Sequence, residues 1–116
     1  PALIEELCCR VLDKLETTAP AHARVVCQGW LRSNPYQHRL WSHLLNNPAD
    51  NAEQNRIDIE ACLLYYPLHP IATRLYAALL EEELGPEAAT RYRNAIQQAT
   101  NAGSCIQKDG HAHSRL

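Results

Sequence analysis

Glycine is scarce in this chain of 116 residues, with only 4, and its 7 prolines fall at intervals rather than in clusters. That spacing points to helices punctuated by short turns. Strand signals are missing as well: one stretch alone is densely β-branched or aromatic, and no period-two alternation persists. No apolar run approaches the roughly 18 to 20 residues that a bilayer crossing needs, and the first residues lack a basic segment followed by an apolar one. No membrane insertion is therefore expected, and a cytoplasmic location is. An excess of either charge is also lacking. Lys and Arg number 11 against 13 Asp and Glu, which leaves no single-signed field for a polyanion, so nucleic acid is not an expected partner. Neither a Gly-rich phosphate loop nor the His-Glu-x-x-His or Gly-x-Ser-x-Gly motifs occur.

What is present fits one globular domain. Apolar residues make up 46% and charged residues 21%, close to the averages for folded chains. The five cysteines (Cys8, Cys9, Cys27, Cys62, Cys105) are odd in number and mostly lie in apolar-periodic segments, the pattern of reduced thiols rather than of a disulfide framework. Apolar recurrence outlines six helices. Ile4, Leu7, Cys8, Val11, Leu12 and Leu15 mark the first, over Ala2 to Glu16. Ala23, Val26, Cys27, Trp30 and Leu31 mark the second, between Pro20 and Ser33-Asn34-Pro35. The third carries Tyr36, Leu40, Trp41, Leu44 and Leu45 and ends at Asn46-Asn47-Pro48; the fourth carries Ala52, Ile59, Cys62, Leu63 and Tyr66. The fifth holds Ile71, Leu75, Ala78 and Leu79 up to Gly85-Pro86, and the sixth holds Ala88, Tyr92, Ala95, Ile96 and Ala99. From about Gly103 no stripe remains to bury, so residues 1–102 are expected as the helical domain and 103–116 as a flexible tail.

The three helical pairs begin near Ala2, Tyr36 and Pro70, 34 residues apart each time, which is the period of tetratricopeptide-type units. At that offset Leu7, Trp41 and Leu75 share a column, as do Val11, Leu45 and Leu79, and the small residues Cys27, Ala61 and Ala95. Large residues four apart fill the gap between paired helices, and a small one lets their backbones approach. The expected fold is all-α, three stacked helical hairpins in a tetratricopeptide-repeat-like α-solenoid. A six-helix bundle with coincident spacing is the alternative.

Cys27-Gln28-Gly29-Trp30-Leu31 followed by Leu44-Leu45-Asn46-Asn47, and then Tyr66-Pro67, Pro70, Ala78-Leu79, Glu82, Leu84-Gly85 and Ala88, resembles the repeat-fold chaperones that hold needle subunits of bacterial type III secretion. The segment Pro48 to Arg56 departs from that family in its polarity. The resemblance implies a cytosolic, non-enzymatic protein that wraps an amphipathic helix of a needle subunit and prevents premature polymerisation, with a small helical co-chaperone on another face. Such recognition is the helix-in-groove mode. Other readings are a different helical-repeat adaptor or scaffold, and a small thiol-dependent enzyme.

Tyr36, Trp41 and Tyr76 lie on the first helix of a hairpin, the layer that lines the concave side of stacked repeats, and aromatics supply much of the energy at protein interfaces. They are the expected groove anchors, with Leu40, Leu44, Leu75, Leu79 and Leu80 as companions; Trp41 serves equally well as a core residue. No cofactor and no metal is expected: His111-Ala112-His113 has no fixed acid or thiol beside it. Cys8 and Cys9 are adjacent, so on a helix they point about 100° apart, one toward the core and one partly exposed. A Cys-His catalytic pair would have to join Cys27 or Cys62 to His22, His38, His43 or His69. Glu81-Glu82-Glu83 reads as a solvated helix end.

Overall fold

A computed structural model describes residues 2–108, with side chains from 3 to 103. Six helices follow in order: α1 (Ala2–Thr18), α2 (Pro20–Ser33), α3 (His38–Asn46), α4 (Ala52–Tyr65), α5 (Pro70–Leu84) and α6 (Pro86–Lys108). No strand occurs among the described residues, so the all-α expectation holds. Helix α6 continues past the boundary expected at 102; the rest of the expected tail, with His111 and His113, lies outside the described residues. The chain divides into two compact units, Pro1–Ala72 and Thr73–Leu116. The division falls within α5, whose first turn is held by His69 in the first unit, while Tyr76 of its later turns meets Tyr92 of α6 edge to face at 5.2 Å.

Punctuation in the chain has direct structural counterparts. Pro20 occupies the first turn of α2, where its missing N–H costs nothing. Gly85 has φ 97°, a left-handed conformation that favours glycine, and its N–H closes α5 on the carbonyl of Glu81 at 2.9 Å before Pro86 opens α6. The polar stretch after Pro48 is a capping device. The Asn51 side chain accepts from the N–H groups of Glu53 and Gln54, and Asn55 bonds both backbone groups of Ala49, accepting at 2.7 Å and donating at 2.9 Å. Helix α3 starts at His38, two residues after the expected Tyr36. Buried Gln37 donates instead to the carbonyls of Asn34 at 2.8 Å and Trp30 at 3.4 Å, which pins the α2–α3 turn.

In the first unit α1 packs on α2 and α3, α2 on α3, and α3 on α4. Its core holds Leu12, Ala23, Cys27, Leu31, Leu40, Trp41, Leu44, Leu45, Ile59 and Cys62. The apolar stripe of α1 is a correction: Ile4, Leu7 and Val11 are exposed, and the buried line runs through Cys9 and Leu12, flanked by Glu5 and Glu16 at the same helical spacing. Those glutamates face α3. Glu5 accepts from the N–H of Arg39, an unpaired donor in the first turn of α3, at 2.7 Å, and Glu16 meets His43. The 34-residue columns accordingly differ in environment, since Leu7 and Val11 are exposed where Trp41 and Leu45 are buried. The small-residue column holds only in part: Cys27 is buried, Ala61 half-buried and Ala95 exposed, while Ala77 and Ala89 are the buried small residues of the second unit.

His69 is 1% exposed and stands just before α5. Its Nδ1 accepts from the N–H groups of Ile71 and Ala72, so the neutral ring carries its proton on Nε2, which donates to the His38 carbonyl at 3.3 Å. Burial, then the stacked His38 ring at 4.2 Å, hold its pKa below the ordinary 6.5. The folded state therefore binds this proton less readily than the unfolded chain. The stability His69 contributes is intact above pH 6.5 and declines below it, by at most about 1.4 kcal/mol per pH unit, until the folded ring also protonates. His69→Asn keeps a capping acceptor without a titrating ring. Urea midpoints measured at neutral and mildly acid pH are expected to differ less in that variant than in the parent; equal differences would refute the role of His69.

Candidate functional site

Six rings run in sequence across the first unit. Trp41 lies 6.4 Å from Tyr65, Tyr65 is edge-on to Tyr36 at 5.2 Å, Tyr36 is 6.5 Å from Tyr66, Tyr66 is edge-on to His38 at 5.1 Å, and His38 stacks on His69. The row joins the N-terminal end of α3 to the C-terminal end of α4. Burial raises the Tyr66 phenol above its usual pKa, so it remains a neutral hydroxyl near neutral pH.

Two clefts open beside this row. One, of about 280 Å³, lies between α2, α3 and α4: Trp41 and Leu44 line it with Leu31, and Ile57 and Tyr65 stand at α4 with Gln28, Arg32, Gln54 and Asp58 as its polar members. Ile57 is 51% exposed, an apolar side chain left in water at the mouth of an apolar floor. The second, of about 510 Å³, lies between α1 and the end of α2, with Ile4, Cys8, Trp30 and Tyr36 among its walls. Both combine apolar and polar surface, the smaller in nearly equal parts.

The expected anchors fall into distinct places. Tyr36 is 67% exposed and borders the larger cleft. Trp41 is 5% exposed; its Nε1–H donates to the Pro35 carbonyl at 2.7 Å, so the ring forms the floor of the smaller cleft and fills the core at once. Leu44 shares that floor. Leu40 is 0% exposed and leaves no surface for a partner: its side chain belongs to the core. Leu75, Tyr76, Leu79 and Leu80 are half-buried in the second unit, where Tyr76 is engaged by Tyr92.

A polar network that sequence reasoning missed supports the floor of the smaller cleft. Arg24 of α2 pairs with Asp58 of α4 and donates to the carbonyls of Asn47 at 2.7 Å and Leu44 at 3.4 Å, and Gln54 donates to Asp58 at 3.0 Å. Asp58 is buried. The signal available was the separation, since Arg24 and Asp58 stand one 34-residue period apart, as do Glu5 and Arg39.

The Ser42–His69 pair lacks the proton arrangement of a nucleophile and its base. Ser42 Oγ lies 3.1 Å from His69 Nε2, but that nitrogen carries the proton while Nδ1 is occupied by backbone donors, so the ring cannot take the Ser42 proton. The Cys27 thiol donates to the Leu40 carbonyl, and burial pushes the Cys27 and Cys62 thiols up to about 12, far from the thiolate a nucleophile needs. Of the adjacent pair one thiol is buried and one partly exposed, as expected, but the buried one is Cys9 and not Cys8 of the expected stripe. Glu81, Glu82 and Glu83 are exposed, and Glu81 makes a loose ion pair with Arg93 at 3.8 Å.

In comparisons with known proteins, no family model, no curated protein and no solved structure matches the chain.

Proposed function

We propose that this chain is a non-enzymatic helical-repeat protein that takes an amphipathic helix of a partner into the cleft floored by Trp41. The observation that carries this reading is the pairing of a buried aromatic floor with exposed Ile57 and the Tyr65 ring at its edge. An apolar helix face would cover Ile57, and Arg32, Gln28 and Gln54 would meet its polar border. Repeat stacking is supported by two bonds between positions 34 apart, Glu5 to Arg39 and Arg24 to Asp58, and by the packing of α1 on α3 as well as on α2. Equivalent positions meet when successive units are stacked by simple translation. The thiols and the Ser42–His69 pair favour binding over chemistry.

The partner class comes from the resemblance to needle-subunit chaperones: an amphipathic helix of a needle subunit in the cytoplasm, kept from premature polymerisation. The exposed line Leu3, Ile4, Leu7 and Val11 on α1 suits the second, co-chaperone contact of that family. Affinity purification from the native cell tests this, read by mass spectrometry, with Ile57→Asp as the comparison. A short needle-type subunit is expected with the parent chain, and the variant is expected to bind it at least about tenfold more weakly, a change of about 1.4 kcal/mol. Urea stability should be unchanged, because Ile57 is exposed. Recovery of a large signalling partner would favour an adaptor instead, and unchanged binding by the variant would remove the cleft.

A further inference from the structure

The contact between α1 and α3 holds a second polar cluster, apart from both clefts. Asp13 and Glu16 lie three residues apart on α1, so they share a face, and His43 of α3 sits between them with ligand atoms of all three within 4.8 Å of one another. Glu16 Oε1 is 2.5 Å from His43 Nδ1. A carboxylate only accepts, so Nδ1 carries a proton; in the neutral ring Nε2 then keeps its lone pair, and in the imidazolium it holds a second proton that a bound metal ion would displace. Nε2 faces Asp13 Oδ1 at 3.9 Å, too far for a hydrogen bond. In the neutral form two electron-donating atoms thus confront each other across a gap, with a second carboxylate on the far side of the ring.

We infer that His43 Nε2 and Asp13 form a seat for a divalent transition-metal ion such as Zn²⁺, with Glu16 as the positioning carboxylate on Nδ1. Two tetrahedral bonds of about 2.0 to 2.2 Å place their donor atoms about 3.4 Å apart, so Asp13 has to close part of the 3.9 Å gap to complete the site. Asp13 is largely exposed and can swing to do so, water filling the remaining positions. Glu16 is half-buried and fixes the tautomer and the ring plane, the part a carboxylate plays behind a ligating histidine. Nitrogen with carboxylate oxygen suits Zn²⁺ over Mg²⁺ or Ca²⁺, which prefer all-oxygen sets. Because its ligands come from α1 and α3, the ion would bind the folded chain and strengthen their contact.

The experiment is a titration of the full chain with Zn²⁺ under reducing conditions, read by the ring ¹⁵N shifts of each histidine and by the thermal midpoint. His111→Ala/His113→Ala is introduced in every sample to remove the tail pair. A shift of His43 Nε2 that saturates, with a rise in the midpoint, is expected. Asp13→Asn and His43→Gln are each expected to weaken Zn²⁺ binding at least about tenfold, and Asp13→Asn, at a largely exposed position, to leave the metal-free midpoint nearly unchanged. Glu16→Gln, which still accepts from Nδ1–H, should weaken binding less than either. Cys8→Ser controls for capture by the exposed thiol and is expected to change nothing. Saturation at another histidine, dependence on Cys8, or full binding by Asp13→Asn would overturn the assignment.

Discussion

Replacing Arg24 with Met is expected to destabilise the first unit by about 3 to 5 kcal/mol, the loss that follows when one partner of a buried ion pair is removed. Three elements depend on this side chain. Its guanidinium joins α2 to Asp58 of α4 and caps the C-terminal end of α3 through the Leu44 and Asn47 carbonyls, where a cation also complements the helix dipole. Without it, the Asp58 carboxylate remains buried with Gln54 as its donor, the Asn47 carbonyl loses the guanidinium, and the Leu44 carbonyl keeps only the Asn47 N–H. Asp58→Asn is expected to cost less, since the amide oxygen still accepts from Gln54. Combining Arg24→Met with Asp58→Leu should recover part of the loss, because an apolar pair of similar volume removes the stranded charge. Urea unfolding followed by far-ultraviolet circular dichroism gives the three values. A single-variant loss below about 1 kcal/mol would place Arg24 with ordinary surface ion pairs and refute its role.

Trp41→Ala is expected to cost about 3 to 5 kcal/mol of stability as well, the range for deleting a buried aromatic. The ring is almost wholly buried, its N–H is committed to Pro35, and Tyr65 and Leu44 rest around it. The cavity would collapse the floor of the cleft, so partner binding should fall by more than the roughly 2 kcal/mol typical of a hot-spot residue. Trp41→Phe separates the contributions. It retains most of the apolar area, leaves the Pro35 carbonyl without its donor, and is expected to cost about 1 to 3 kcal/mol. A stable Trp41→Ala chain that merely binds less well would show the side chain to be an anchor and little of a core residue. Against a total stability of about 5 to 15 kcal/mol, either this loss or that of Arg24 is a large fraction.

The helices were readable because their limits are local. Pro20, Pro35, Pro48, Pro70 and the Gly85-Pro86 step act on the backbone where they stand, and Ala23, Cys27 and Leu31 bury the side of α2 that their periodicity marks. Helix α1 misled for the same reason. Ile4, Leu7 and Val11 make the more apolar line, yet α3 presents an unpaired N–H at Arg39 and the His43 ring, and Glu5 and Glu16 satisfy them by turning Cys9 and Leu12 inward. Charged residues read by default as exposed, so the Arg24–Asp58 pair was not expected, and His69, weighed only as a partner for a thiol, is a buried helix cap. Of the candidate anchors, Trp41 and Leu44 line the smaller cleft and Tyr36 the larger, while Leu40 went to the core.

Residue chemistry acting over one or two turns was thus enough to establish an all-helical chain and most of its turns, since a missing N–H or a left-handed glycine needs no distant neighbour. Which face of α1 is buried, which charges enter the interior and where a cleft opens are relations between residues about 30 positions apart or more, such as Glu5 with Arg39 or Arg24 with Asp58. Only packing decides them, because a polar group is buried when another element brings the partner that compensates for lost water.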